Sequence, residues 1–60
     1  MIVLMDGRAR YDIDGALVVS ANCPSLEEAI EEAKERGDDS VVVDLDRHVV
    51  LWTPEHEETS

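Results

Sequence analysis

The segment from Ser25 to Gly37 constrains the fold most strongly, because it carries the periodicity of a helix and a recognisable mark at each end. Its apolar residues recur at the i, i+3, i+4, i+7 spacing of one helical stripe: Leu26, Ala29, Ile30 and Ala33. Ser25 and Glu28 have the spacing of a capping box, and Gly37 can end the last turn in a left-handed conformation. The pattern predicts a helix whose narrow apolar stripe must be buried by the rest of the chain.

The opposite side of this helix is almost uniformly acidic, with Glu27, Glu28, Glu31, Glu32 and Glu35. Like charges four residues apart each cost about 0.2–0.5 kcal/mol in an isolated helix, so salt or a partner must offset the repulsion. We take Glu28, Glu31 and Glu35 as candidate contacts to a basic partner. General solvation of the chain is the simpler explanation of the acidity, and we prefer it.

The length of the chain bounds its stability. Sixty residues form one domain, and a chain this short buries only about 60% of the surface exposed by its unfolded form. One cysteine cannot form an intramolecular disulfide, and no set of residues has the spacing of a zinc site. Oligomerisation is the remaining usual remedy. Without a signal-peptide pattern or a long apolar run, we expect a soluble cytoplasmic protein with no membrane partner.

The formal charge of −10, from 15 acidic and 5 basic residues, argues against direct binding of nucleic acid, which depends on cationic side chains. Only one of the basic residues is lysine. Together with the excess of acid, this composition resembles that of proteins from salt-adapted cells, where screening weakens self-repulsion.

The first part of the chain has the pattern of a β-hairpin. An apolar run at 2–5 is followed by Asp6-Gly7, a strong two-residue turn signal, and by alternating residues at 8–13. Pairing across this turn places Arg8 and Arg10 on one face of the second strand, beside Val3 and Met5. We take both arginines as candidate partner contacts or as donors of ion pairs between subunits.

Three further strands are predicted, at 16–21, 41–45 and 48–52, the last two joined by a turn at Asp46-Arg47. The turn before 16–21 is either a three-residue loop at 13–15 or a bulge at Gly15 in one long bent strand. The order β-β-β-α-β-β defines an α+β domain over residues 1–53. Its helix joins two parallel strands of a small mixed sheet and lies on one face. Residues 54–60 are predicted to be a disordered acidic tail.

A single narrow helix covers about one face of two or three strands. The remaining apolar side chains, Val18, Val42, Val49 and Leu51, then lack an obvious cover. Burial by a second copy of the chain is the simplest solution, so the sequence predicts a homodimer with these residues in its interface.

The residues that could carry chemistry form no diagnostic motif. Cys23 precedes the helix cap, where a helix N-terminus could lower a thiol pKa, but a small buried side chain is the more common role. Asp44, Asp46 and His48 would line a metal site only on a continuous strand. Glu55, His56, Glu57 and Glu58 could also ligate a metal, although an acidic tail explains them equally well. We therefore assign no catalytic residue, metal or cofactor.

The residues at 14–20, followed by the helix at 25–34, resemble the strand-then-helix core of HicB-type antitoxins, small oligomeric partners of RNA-cleaving toxins. The resemblance covers under half of the chain, and no site residue is carried over from it. Three functional hypotheses follow. The first is a self-associating, non-enzymatic interaction or regulatory module. The second is a mimic of nucleic-acid charge, or an antitoxin-like inhibitor, acting on a basic nuclease or DNA-binding protein. The third is a small metal- or thiol-dependent enzyme.

Overall fold

The computed structural model describes residues 1–21 and 23–55. In this part of the chain, one helix packs against one sheet, so the predicted α+β class is confirmed. A 3-10 helix at Gly7–Arg10 follows the first strand. The other elements are β1 (Ile2–Met5), β2 (Val18–Ser20), α1 (Leu26–Arg36), β3 (Val41–Asp44) and β4 (Val49–Trp52).

The sheet has the strand order β2-β1-β3-β4, and each hydrogen-bonded pair in it is antiparallel. The sequence predicts a mixed sheet with a pair of parallel neighbours, and this part of the prediction is wrong. The strands on either side of the helix, β2 and β3, do run in the same direction, because both are antiparallel to β1. They are not neighbours, however, since the first strand of the chain lies between them.

The helix forms where the sequence predicts it. The Oγ atom of Ser25 accepts a hydrogen bond from the Glu28 N–H at 3.3 Å, and Gly37 ends the helix with a φ of 66°. Its apolar stripe packs over the centre of the sheet. There, fully or almost fully buried side chains form one of two core clusters: Leu4, Ala29, Ala33, Val42 and Trp52.

The prediction of a strand at 8–13 is wrong, because the chain forms the 3-10 helix after β1 instead. Asp6 is its N-cap residue, and its Oδ1 atom accepts a hydrogen bond from the Arg8 N–H at 2.9 Å. An aspartate in this position satisfies a backbone donor at the start of a helical turn. The Asp6-Gly7 pair therefore starts a turn that leaves the plane of the sheet.

Residues 6–17, here called the cover segment, pack on the face of the sheet that the helix does not reach. Ala9 is buried there, and Ile13 and Ala16 pack against the same cluster. The strand side chains of this second core cluster are 3% exposed or less: Val3, Met5, Val41 and Val43. The chain thus covers both faces of its own sheet, contrary to the expectation that the second face needs another copy.

A β-bulge in the pair of strands β3 and β4 determines which face of the sheet the side chains of β4 occupy. Val42 pairs with Trp52 and Val43 with Val50, so Leu51 is an extra residue in β4. Because of this bulge, Val50 packs on the side of the cover segment, while Trp52 packs under the helix. The turn between the strands also differs from the predicted Asp46-Arg47 turn: residues 45–48 lie between the two strands, and His48 has a φ of 58°.

The tail predicted at 54–60 lies mostly outside the described residues. Its first two residues are helical, and the carboxylate of Glu55 forms an ion pair with Arg10 of the cover segment.

Candidate protein-interaction surfaces

A group of exposed side chains lies where the cover segment leads into strand β2. Tyr11 is 87% exposed, Leu17 is 70% exposed and Val18 is 48% exposed. Arg8 is exposed in the same part of the chain. We call these four residues the edge surface. Two of the four residues, tyrosine and arginine, are of types enriched among the residues that dominate the energy of protein interfaces.

The backbone under the edge surface is held by the carboxylate of Asp6. Its Oδ1 atom accepts from the Arg8 N–H at 2.9 Å, and its Oδ2 atom accepts from the Leu17 N–H at 3.3 Å. The Asp6 N–H in turn donates to the Leu17 carbonyl oxygen at 3.0 Å. One side chain therefore brings two separate parts of the cover segment together. Apolar groups held in this way lose less conformational freedom on binding than groups on a mobile loop.

Of the two arginines predicted to contact a partner, the structure leaves one accessible. In the described residues, the Arg8 guanidinium forms no ion pair and is exposed. Arg10 is 16% exposed, and its Nη2 atom donates to Asp39 Oδ1 at 3.0 Å while Nη1 pairs with Glu55. Although partial burial disfavours the charge, the Asp39 carboxylate holds the pKa of Arg10 above its ordinary value. Arg10 thus joins the cover segment to two other parts of the chain.

The acidic side of helix α1 is a second accessible surface. Glu28, Glu31 and Glu35 are all exposed, as is Glu27, whereas Glu32 is half-buried. Near the end of the helix, Arg36 Nε lies 3.5 Å from Asp38 Oδ2. The three glutamates proposed as partner contacts therefore form an exposed row along the helix.

The four residues predicted to form a dimer interface do not lie on one surface. Val42 is fully buried under the helix, which leaves none of its side chain for a partner. Val18 lies in the strand at one edge of the sheet, while Val49 and Leu51 lie in the strand at the other edge. Val49 is 41% exposed and Leu51 is 37% exposed, so β4 carries a small apolar edge of its own.

Cys23 is half-buried near the start of helix α1 and does not have the environment of an activated thiol. Burial raises the pKa of the Cys23 thiol, and the negative charge of Glu32 acts in the same direction. The thiol is therefore protonated at neutral pH, opposite to the pKa shift that a helix N-terminus could produce.

The acidic turn at the end of β3 forms a local hydrogen-bond network. Desolvation raises the pKa of the Asp44 carboxyl, but the hydrogen bonds from the Arg47 and Asp46 N–H groups outweigh this effect. The pKa of Asp44 therefore lies below its usual range. Its Oδ1 atom also lies 3.5 Å from the Met1 amine, which pairs with Asp46 as well. His48 points elsewhere, with Nε2 at 3.8 Å from Asp14 Oδ1.

The described residues contain no group of three or more His, Cys, Asp or Glu side chains placed to hold a metal ion. The interpretation of Asp44, Asp46 and His48 as a metal cluster is therefore not supported by their geometry. The other hypothetical ligands, His56, Glu57 and Glu58, lie outside the described residues.

Tyr11 and Leu17 were not among the contact residues predicted from the sequence. A signal for the true arrangement is present in the sequence. The residues of the cover segment that pack inward, Ala9, Ile13 and Ala16, have the i, i+4, i+7 spacing of a helical or turn-rich segment. In that spacing, Tyr11 and Leu17 fall outside the inward stripe.

Within the described ranges, no helix combines the length and the apolar character needed to cross a membrane. Comparison of the chain with known protein families, curated proteins and solved structures finds no match.

Proposed function

We propose that this chain is a small, acidic, non-enzymatic protein-interaction or regulatory module that binds another protein through its edge surface. The observation that carries the proposal is the exposure of Tyr11 and Leu17, at 87% and 70%, on a backbone that Asp6 holds in place. Exposed apolar groups on an ordered backbone are typical of contact surfaces.

Photo-crosslinking in extracts of the source cells tests this proposal. A photoreactive phenylalanine replaces Tyr11 or Leu17 in separate variants, with Glu31 on the helix as the matched control position. We expect one discrete protein adduct at both edge positions. An excess of the unlabelled wild-type chain should suppress it, and an excess of unlabelled Leu17→Ser should not. Adducts that form equally at all three positions, or none at the edge positions, would contradict the proposal.

A second candidate function is supported by the exposed row Glu28, Glu31 and Glu35. A row of carboxylates on a rigid helix could occupy the basic groove of a nuclease or a DNA-binding protein, as an inhibitor that mimics nucleic-acid charge. This function predicts the adduct at Glu31 and its loss when Glu28 and Glu35 are changed to Gln. An adduct at Tyr11 and Leu17 alone would exclude it.

Self-association is also part of the proposed function, although each chain covers both faces of its sheet. The support that remains for a homodimer is the exposed pair Val49 and Leu51 on the edge strand β4. Two chains of charge −10 repel each other, so association through this edge should strengthen as salt is added. Sedimentation at rising concentration and salt should show a dimer that Leu51→Ser weakens. The mass of a single chain under all conditions would exclude it.

A further inference from the structure

Strand β2 has an open side. It is the first strand in the order β2-β1-β3-β4, so within the described residues only one of its two sides is paired with another strand. Backbone groups on the free side of an edge strand are a template for an additional strand from another chain. β2 itself spans only Val18–Ser20 and contains a bulge against β1, so backbone pairing alone would supply few hydrogen bonds. Side-chain contacts must supply the rest.

Those contacts are available beside the open side. Val18 belongs to the strand, and Leu17 directly precedes it with 70% of its side chain exposed. The Leu17 N–H and carbonyl oxygen are both bonded to Asp6, so the residue is fixed at the start of the edge. An added strand would therefore contact the Leu17 side chain, whose backbone is fixed, next to backbone groups on the open side of β2.

The charge of this chain indicates which kind of segment would bind to the open side of β2. The chain carries 15 acidic and 5 basic residues, and Arg10, Arg36 and Arg47 are each within ion-pair distance of a carboxylate of the same chain. Asp12 is exposed on the cover segment before Leu17, whereas Asp14 Oδ1 lies 3.8 Å from His48 Nε2, at the turn between β3 and β4. Arg8 is also exposed at this edge, but the chain as a whole carries a net charge of −10, so its field attracts cations and repels a second copy of the chain.

We propose that the open side of β2 binds an extended, positively charged segment of a partner protein as a fifth strand. The apolar side chains of that segment pack on Leu17 and Val18, and one of its lysine or arginine side chains lies beside Asp12. This inference rests on the proposed function and adds the class of partner and its conformation.

The probe is a synthetic peptide of alternating lysine and valine residues, titrated into the full chain while backbone amide shifts are followed by NMR. We expect saturable shifts centred on 17–20, and binding about tenfold weaker for Leu17→Ser, which removes an exposed apolar group without a change in charge. The matched control, Leu26→Ser, changes the same residue type at a 38% exposed position on helix α1 and should bind as the wild type does. Asp12→Asn should weaken binding and reduce its dependence on salt, whereas Asp14→Asn, beside His48, should have a smaller effect.

Two control peptides test the chemistry of the segment. A glutamate-valine peptide should not bind, and a lysine-valine peptide with alternate backbone nitrogens methylated should bind at least about tenfold more weakly, because it has lost donors. The inference is overturned by equal binding of the acidic peptide, by shifts centred on 27–35, by equal losses in the two serine variants, or by no saturable shift up to about 1 mM peptide. A crosslink at Tyr11 together with a negative titration would leave the proposed function standing and exclude only the basic, extended partner.

Discussion

The carboxylate of Asp39 lies against the α-carbon of Gly7. A β-carbon at residue 7 would be 2.6 Å from Asp39 Oδ2 and 3.3 Å from the Asp39 carbonyl oxygen. The other carboxylate oxygen accepts the hydrogen bond from Arg10, so this contact joins the start of the 3-10 helix to the loop between α1 and β3. The Asp39 carboxylate can occupy this position because residue 7 has no side chain.

Gly7→Ala should therefore destabilise the chain by about 1–2 kcal/mol, because Asp39 must move away from Arg10 to admit the methyl group. Gly15→Ala is the matched control. Its β-carbon would also come within 2.6 Å of a carboxylate oxygen, that of Asp12, but the three nearest atoms all belong to the Asp12 side chain, with no backbone oxygen among them, so that side chain can rotate into solvent. Its effect should stay within about 0.5 kcal/mol. Urea denaturation measures both, and equal losses would show that the Asp39 contact has no special role.

The left-handed conformation of His48 provides the second prediction. Its φ of 58° lies in a region that side chains with a β-carbon disfavour by roughly 1–2 kcal/mol, while glycine adopts it freely. His48→Gly removes this backbone strain, but glycine also loses more backbone entropy on folding. The two effects oppose each other, so stability should stay unchanged or rise by up to about 1 kcal/mol. His48→Val should lower it by about 1 kcal/mol or more. The reverse order in thermal denaturation would contradict the turn geometry.

Burial distinguishes two valines that the sequence places in the same interface. Val42 is fully buried, and Val49 is 41% exposed. Val42→Ala should cost about 1.5–3 kcal/mol, the loss expected for two buried methyl groups together with the cavity they leave. Val49→Ala should cost less than about 1 kcal/mol. Chemical denaturation at two protein concentrations checks this, and a loss for Val49→Ala that grows with concentration would indicate that a second copy buries Val49.

The loop after helix α1 should make stability depend on pH. The Ser40 hydroxyl donates to Asp38, and the Ser40 N–H donates to Asp38 Oδ1 at 3.1 Å. These bonds, the hydroxyl first, hold the pKa of Asp38 below its ordinary value. Because the folded pKa is the lower one, the stabilisation is complete above the pKa of the unfolded chain and is lost as pH falls through the folded pKa.

Asp38→Asn should therefore lower the melting temperature near neutral pH and reduce its decline in acid. Ser40→Ala should raise the pKa of the Asp38 carboxyl toward its ordinary value, which an NMR titration of that carboxyl measures directly. A wild-type pKa at or above the ordinary value for aspartate would contradict the prediction.

Local interactions explain why some elements could be predicted from the sequence. The cap at Ser25 and the end at Gly37 depend only on residues a few positions away, so the helix follows from the sequence alone. The runs at β1, β3 and β4 are rich in β-branched or aliphatic residues and are equally visible.

The cover segment could not be predicted with the same rules, because Asp6-Gly7 suits both a hairpin turn and the cap of a 3-10 helix. The choice depends on which strand becomes the second neighbour of β1. That neighbour is β3, some forty residues away in the chain, and this pairing leaves the cover segment free to fold over the second face. The exposure of Tyr11 and Leu17 depends on the same long-range choice, so the edge surface was not predictable from local patterns.

The central place of β1 in the sheet has a consequence for how the protein is made. Strand β1 (Ile2 to Met5) precedes both of its neighbours in the chain, and it acquires one at Val18–Ser20 and the other only when Val41–Asp44 has been synthesised. Closing so distant a pair is slow compared with forming a helix. The nascent chain must therefore keep one side of this apolar strand unpaired until β3 has been synthesised, and the sheet cannot be completed before then.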